Sequence, residues 1–154
     1  MRIMFVCHGN ICRSPMAEFI FRRMLAEGGR ESEAFVASSA TSSEEIYRGT
    51  GNPVYPPAAA MLKKHGIDCK GKRARQLSAD DYSQYDLFIG MDSANYRNMH
   101  RIFGADPEGK IRLLMDYTDR PGDVRDPWYT DNFDLAYRDI YEGCEALYKA
   151  LFSE

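Results

Sequence analysis

The sequence predicts an α/β fold in which helices cover both faces of a four-stranded parallel sheet. Short apolar segments typical of buried strands alternate with longer segments whose apolar residues recur at helical spacing. Glycine, proline and small polar residues separate the two kinds of segment, as connecting loops require. The chain has 154 residues, of which 44% are apolar, so we expect a single domain over residues 1–154.

The first strand and the first helix flank a short polar loop. Residues 3–6 form an apolar run that predicts a buried strand. Ser14 is the predicted N-cap of the helix, with Pro15 at its first position and Gly28 beyond its end. The apolar positions between them follow the spacing i, i+3, i+4, i+7 and i+8, at Ala17, Ile20, Phe21, Met24 and Leu25.

Three more strands alternate with three more helices. The strands are predicted at residues 34–38, 87–91 and 111–114, and the helices at residues 58–65, 92–101 and 133–151. Residues 40–57 and 116–128 are predicted loops, rich in glycine, proline and polar side chains. Strands that alternate with helices form parallel sheets, and such sheets bind ligands beyond the carboxyl ends of their strands. Cys7, which follows the first strand, is therefore a candidate site residue.

Charge and hydropathy exclude two classes of partner. The formal net charge of -3 argues against a nucleic-acid-binding protein, and the basic run from Lys70 to Arg75 is interpreted as a solvated loop. No stretch of 18 apolar residues predicts a membrane span. We therefore expect neither nucleic acid nor a membrane as a partner.

The four cysteines do not have the spacing of a zinc site. Cys7, Cys12, Cys69 and Cys144 lack the paired pattern of zinc ribbons and fingers, so no metal is expected. The apolar run before Cys7 is too short for a signal peptide. We expect a cytoplasmic protein whose cysteines stay reduced.

The loop from Cys7 to Arg13 combines a nucleophile with an anion site. Free amides at the start of a helix bind anions, and Gly9 is expected to provide a positive φ that brings amides towards a ligand. The planar guanidinium of Arg13 fits two phosphate oxygens at once. The same surroundings favour the thiolate form of Cys7. The loop after the first strand is thus predicted to bind phosphate and to attack it.

Phosphoryl transfer also requires an acid for the leaving oxygen. Asp126 precedes Pro127, which restricts its backbone to extended conformations and could hold its carboxyl over a pocket. Trp128 and Tyr129 beside it could form the walls of a slot for an aromatic group. Other aspartates of the same region remain candidates for this role, at Asp119, Asp123, Asp131 and Asp134.

The chain resembles the low-molecular-weight protein tyrosine phosphatases in two motifs, VCHGNICRSPMAEF near its start and DPWY about 120 residues later. The similarity of layout covers essentially the whole chain. The resemblance implies a four-stranded parallel α/β fold and no cofactor. It implies that Cys7 forms a phosphocysteine, that Arg13 binds the phosphate and that Asp126 is the general acid and later the base.

The resemblance also implies roles for the rest of the loop. Asn10 and Ser14 would brace it, and the Ser14 hydroxyl would donate to the Cys7 thiolate. Cys12 would form a reversible disulfide with Cys7. Tyr47 falls in the loop where relatives carry an aromatic pocket wall. The other residues assigned to phosphate binding and loop support are His8, Gly9 and Ile11.

The expected substrates are tyrosine-phosphorylated proteins or peptides, with phosphate, sulfate or vanadate as active-site anions. Protein arginine phosphatases also resemble the chain, but they carry a threonine where Ile11 stands. Arsenate reductases of this fold have a cysteine pair in a later loop, whereas residues 77–91 contain no cysteine. A non-catalytic phosphate-binding module is the remaining alternative, and it would not need both an activated Cys7 and a candidate acid.

Overall fold

The computed structural model describes residues 1–153 and contains the predicted parallel sheet. Its four strands are β1 (Arg2–Cys7), β2 (Phe35–Ala40), β5 (Leu87–Gly90) and β6 (Ile111–Leu113), in the spatial order β2-β1-β5-β6. All three neighbouring pairs are parallel. The strands therefore end at one edge of the sheet, and Cys7 is the last residue of a central strand.

Five helices connect or follow the strands. They are α1 (Arg13–Glu27), α2 (Pro56–Lys64), α3 (Ser93–Phe103), α4 (Pro127–Thr130) and α5 (Phe133–Phe152), with short 3-10 turns at Ala79–Ser83 and Leu114–Tyr117. Helix α1 begins one residue before Ser14, so Ser14 is not its cap, and Pro15 is its third residue. The N-cap position belongs to Cys12, whose side chain makes no capping bond. The first backbone amides of α1 therefore remain available for hydrogen bonds to the loop that precedes the helix.

The two faces of the sheet carry separate apolar clusters. Ile3 and Phe5 of β1 face a cluster that includes residues from α1, α2 and α5. Met4 and Val6 face the opposite side, where they meet Met99 of α3. This alternation buries β1 on both faces and fixes the position of the residue that ends it.

The predicted loop 40–57 contains a small hairpin that the sequence analysis missed. Strands β3 (Ile46–Tyr47) and β4 (Thr50–Gly51) pair antiparallel in it. A Cβ added at Gly51 would lie 1.9 Å from the Ala74 carbonyl oxygen, so only glycine fits this position. The hairpin is thereby seated against the chain that follows α2, next to the carboxyl edge of the sheet.

Within residues 1–153, no helix is both long enough and apolar enough to cross a bilayer.

Candidate active site

The sulfur of Cys7 lies at the centre of the loop that joins β1 to α1. Two backbone amides donate to it, from Asn10 at 3.3 Å and from Ser14 at 3.4 Å. The Ser14 hydroxyl oxygen is 3.0 Å from the same sulfur. Cys7 is only 3% exposed, so these short contacts act on a sulfur largely shielded from solvent. The two amides and the Ser14 hydroxyl thus surround the sulfur with groups that can stabilise negative charge on it.

Asn10 holds the loop in its unusual backbone conformation. Its φ is +60°, in the left-handed region that asparagine tolerates better than most residues. The expectation that Gly9 provides the positive φ is therefore wrong, because the turn falls one residue later. At Gly9 a Cβ would lie 3.1 Å from the Cγ of Glu45, so a larger residue there would have to displace that side chain slightly. The Asn10 side chain locks the turn by accepting from the Arg75 amide at 2.9 Å.

A chain of buried hydrogen bonds links Cys7 to a carboxylate inside α1. The Asn10 Nδ2 donates to the Ser14 hydroxyl at 2.8 Å and to the Ser38 hydroxyl at 2.9 Å. Ser38 in turn donates to Glu18 at 2.5 Å. Because Asn10 already donates to the Ser14 oxygen, the Ser14 proton is free to point at the Cys7 sulfur. The Glu18 carboxylate can only accept, so Ser38 donates to it and accepts from Asn10.

The carboxylate of Glu18 is 2% exposed and stays balanced by cations. Arg22 lies 2.6 Å from one of its oxygens, and Lys72 Nζ lies 3.5 Å from the other. Desolvation lowers the pKa of Lys72, although the nearby Glu18 opposes this effect. Lys72, which the sequence analysis assigned to a solvated loop, is therefore a partly buried partner of this carboxylate.

Arg13 is buried and held by three acceptors. Its Nη1 donates to Asp92 at 2.7 Å and to the Val124 carbonyl at 2.8 Å, and its Nη2 lies 3.4 Å from Asp126. Burial alone would lower the pKa of Arg13, but the charges of Cys7, Asp92 and Asp126 raise it. The guanidinium is therefore cationic at every relevant pH. Because its Nη1 hydrogens are used by the protein, its Nε edge is left for an anion.

Asp126 is fixed by contacts on both of its oxygens. Oδ1 accepts from the Trp128 amide at 3.0 Å, so Asp126 caps the short helix α4, which has Pro127 at its first position. Oδ2 is the oxygen near Arg13, and the side chain is 28% exposed. Of the candidate acids, Asp126 lies in the cavity over Cys7. Asp123 instead accepts from the Ser93 amide at the start of α3.

Cys12 lies in the same cavity but in a different chemical state. Burial, followed by the negative charges of Cys7 and Asp126, raises the pKa of the Cys12 thiol. Cys12 therefore stays a protonated thiol, whereas the Cys7 sulfur receives hydrogen bonds from two amides. All four cysteines of the chain are free in this structure.

One cavity of about 390 Å³ opens above the Cys7 sulfur. The predicted site residues in its lining are Cys7, His8, Gly9, Ile11, Cys12, Arg13, Asp126, Trp128 and Tyr129. Asn10 and Ser14 lie behind it, as loop-bracing residues would. Tyr47 is not brought to the cavity, because it lies on β3 and is 72% exposed.

The protein-family model described as low molecular weight phosphotyrosine protein phosphatase matches residues 2–154 of this chain. The chain belongs to this family. It is therefore a hydrolase of the protein-tyrosine-phosphatase class.

Two relatives show how far the low molecular weight phosphatase similarity extends. YfkJ of Bacillus subtilis, a low molecular weight protein-tyrosine-phosphatase, is 37% identical over 154 residues, which cover 99% of this chain and 96% of the relative. The low molecular weight phosphotyrosine protein phosphatase of Homo sapiens is 34% identical over 145 residues, covering 92% of this chain and 87% of the relative. The similarity thus includes both the loop after β1 and the Asp126 region.

Solved structures agree with the fold of this phosphatase. The crystal structure of YfkJ from Bacillus subtilis has a TM-score of 0.92 at 36% identity, covering 98% of this chain and 94% of that one. The crystal structure of DARP, the drosophila arginine phosphatase, has a TM-score of 0.88 at 27% identity, covering 100% of this chain and 99% of that one.

The sequence analysis missed several residues of the phosphatase site. Asp92, which holds Arg13, directly follows the strand predicted at residues 87–91, so the rule that sites lie at strand ends could have found it. Tyr55 supplies the aromatic wall expected of Tyr47, and its ring lies 5.2 Å from that of Trp128. No pattern in the sequence indicates that Tyr55 rather than Tyr47 turns inward. The other lining residues that were missed are Glu44, Glu45 and Phe133.

His8 has a partner that the sequence did not reveal. Its Nε2 lies 3.0 Å from a carboxylate oxygen of Glu44, and its side chain is about half exposed. His8 therefore links the phosphatase loop to residues in front of the hairpin, at the open end of the cavity.

Proposed function

We propose that the chain hydrolyses phosphotyrosine in proteins through a phosphocysteine intermediate. Cys7 is the nucleophile, Arg13 binds the phosphoryl oxygens, and Asp126 exchanges protons with the leaving group and with water. The observation that carries this proposal is the position of the Cys7 sulfur, which receives two amide hydrogen bonds at the floor of a cavity walled by Asp126.

In the first step the Cys7 thiolate attacks phosphorus and the bond from phosphorus to the tyrosyl oxygen breaks. The proton on Asp126 passes to that oxygen, so the tyrosine leaves as a neutral phenol. Arg13 and the loop amides stabilise the charge on the three outer phosphoryl oxygens. The Asp92 and Val124 contacts support this role because they fix the orientation of the guanidinium.

In the second step a water molecule attacks phosphorus and the bond from sulfur to phosphorus breaks. Asp126, now a carboxylate, accepts the proton of that water, and the Cys7 thiolate and inorganic phosphate are released. The Ser14 hydroxyl, 3.0 Å from the sulfur, stabilises the departing thiolate. The remaining bracing residue is Asn10, which directs the Ser14 proton. Free phosphate, sulfate and vanadate are expected to bind in the same place.

Selection of tyrosine follows from the depth and the walls of the cavity. Cys7 is 3% exposed, so a seryl or threonyl phosphate is too short to reach it without contact between peptide and rim. Tyr55, Trp128 and Tyr129 supply aromatic walls, and stacked aromatic pairs add about 0.5–1.5 kcal/mol beyond the burial of area. A phosphotyrosine ring meets both requirements.

Phosphoarginine is the second candidate substrate, because the structure of the drosophila arginine phosphatase resembles this chain closely. Ile11 argues against it, since an apolar side chain in the cavity lining leaves guanidinium N–H groups unpaired. A non-catalytic phosphate-binding module would bind phosphate without turnover.

The deciding experiment measures kcat/KM on matched peptides that carry phosphotyrosine, phosphoserine, phosphothreonine or phosphoarginine. We expect the phosphotyrosine value to be the highest. A phosphoarginine value equal to or above it would assign the substrate to arginine, and no turnover on any peptide would leave only the binding module. Cys7→Ser should lose turnover and still bind vanadate, because the amides and Arg13 remain.

Two finer properties are part of the same proposal. The Cys7 thiolate lies in a cavity with the second thiol of Cys12, which supports reversible inactivation by oxidants through a Cys7–Cys12 disulfide. Four free cysteines support a reducing, cytoplasmic location.

A further inference from the structure

The cavity reverses its charge between floor and mouth. Arg13 and the loop amides make the floor electropositive, whereas Glu44 and Glu45 lie in the lining contributed by the segment before β3. Apart from Arg13, the described lining residues include no lysine or arginine, and the half-exposed His8 is the only other basic group. The mouth therefore keeps an acidic character that nothing in the lining fully offsets.

Glu45 is held in place against the loop that carries Cys7. Its Cγ would lie 3.1 Å from a Cβ added at Gly9, so the side chain passes close to the loop backbone. Its backbone carbonyl accepts from the Asn52 amide at 2.8 Å, and its carboxylate lies 3.4 Å from the Asn52 side-chain nitrogen. The backbone of Glu45 is thus anchored to Asn52, and its partly buried side chain carries the carboxylate beside the cavity.

Glu44 is more exposed but is also oriented. One carboxylate oxygen lies 3.0 Å from His8, and the other can accept a hydrogen bond from a ligand. Trp128 lines the same cavity, is 63% exposed and has an aromatic ring of the kind that attracts cations. The cavity lining thus offers a cationic side chain both carboxylates and an aromatic ring.

We propose that Glu44 and Glu45 select substrates that carry lysine or arginine next to the phosphotyrosine. This inference rests on the proposed function and adds to it the chemistry of the flanking residues. The phosphate binds at the cationic floor while the neighbouring basic side chain pairs with the acidic mouth. A flanking glutamate would be repelled by the same two carboxylates.

The expected preference is modest because the mouth is open to water. An exposed ion pair changes an equilibrium by roughly 1.4- to 5-fold, so two carboxylates give a combined effect of roughly 2- to 25-fold. The effect belongs mainly in KM, since the flanking contact is the same in the ground state and in the transition state.

The test compares three phosphotyrosine peptides that differ only in having lysine, glutamine or glutamate on both sides of the phosphotyrosine. The readout is the ratio of kcat/KM for the lysine peptide to that for the glutamate peptide, so changes common to all substrates cancel. It is measured for the parent, Glu44→Gln, Glu45→Gln and the double variant. The matched control is Glu31→Gln combined with Glu145→Gln, which removes the same charge from exposed positions outside the cavity.

We expect a ratio above about 3 in the parent and in the control, a ratio near 1 in the double variant, and a fall of the parent ratio with added salt. Equal hydrolysis of the three peptides by the parent, or an unchanged ratio in the double variant, would overturn the inference and leave the proposed function standing. Hydrolysis of none of the peptides would overturn the proposed function and the inference together.

Discussion

At the scale of single residues, the two contacts of Asp126 allow its role in proton transfer to be tested. Asp126→Asn keeps the shape of the side chain and can still cap α4, but it cannot donate a carboxyl proton. We expect kcat to fall roughly 10²- to 10⁴-fold on phosphotyrosine peptides, the usual contribution of general acid–base catalysis. The loss should be smaller on an aryl phosphate whose leaving oxygen needs less protonation. Steady-state kinetics on both substrates measure this difference.

Asp131→Asn is the matched control for that prediction. Asp131 is exposed, lies in the same region and has a φ of 56°, which asparagine also tolerates. It should retain parental kinetics. Equal losses on the peptide and the activated phosphate for Asp126→Asn would contradict the general-acid role.

The different states of the two cavity thiols predict how the enzyme responds to peroxide. Cys7 is supplied with donors and is oxidised first, whereas burial and nearby negative charge raise the pKa of Cys12 and keep it a thiol. Cys12 then condenses with the sulfenic acid of Cys7, which prevents further oxidation. We expect dithiothreitol to restore the activity of the peroxide-treated parent and to fail on Cys12→Ser.

Cys69→Ser serves as the comparison, because Cys69 does not line the cavity. It should recover as fully as the parent. Full recovery of activity by Cys12→Ser would show that Cys12 only packs in the cavity wall and does not protect Cys7.

At the scale of elements, β2 supports the active-site loop through one of two neighbouring serines. Ser38 accepts from Asn10 and donates to Glu18, whereas the buried Ser39 hydroxyl has no hydrogen-bond partner among the described residues. Ser38→Ala removes one hydrogen bond from each of two buried polar groups, Asn10 and Glu18, and we expect it to lower the free energy of unfolding by about 1–3 kcal/mol. Urea unfolding measures the change.

Ser39→Ala removes a hydroxyl of the same size from the same strand and provides the control. Because no contact is lost, its unfolding free energy should stay within about 0.5 kcal/mol of the parent. Similar losses in the two variants would show that the network through Ser38 adds nothing to stability. A lower kcat in Ser38→Ala alone would extend its effect to the orientation of Ser14.

At the scale of the whole molecule, buried thiols make stability depend on alkaline pH. Cys144 is fully buried, and desolvation raises its pKa above the ordinary value of 9.0. Unfolded chains lose the thiol proton above that value while the folded chain retains it, so stability is full below about pH 9 and falls as the pH rises further. Cys144→Ala should remove up to about 1.36 kcal/mol per pH unit from this slope. Urea unfolding at about pH 8 and about pH 10 compares the two proteins, and parallel slopes would contradict the prediction.

Regular structure was more predictable than the loops because burial leaves a periodic pattern in the sequence. The strand at Leu87–Gly90 and the helix at Phe133–Phe152 lie within one residue of their predicted bounds. The predicted start of α1 was wrong, because the first amides of the helix bond to the preceding loop and Ser14 does not cap them. Which residues of loop 40–57 turn towards the cavity depends on tertiary contacts such as that of Gly51 with Ala74, and no local pattern encodes those.

The anchoring of Arg13 has a consequence for how the protein is made. Arg13 follows Cys7, the proposed nucleophile, closely in the chain, yet its Val124 acceptor comes 111 residues later. On the ribosome, the loop from Cys7 to Arg13 is therefore synthesised long before the segment that orients the Arg13 guanidinium and contains Asp126, the proposed acid. A nascent chain that has exposed only the loop carries the reactive thiol without the groups that complete the site. The complete candidate site thus forms late in translation, after all four strands of the sheet have emerged.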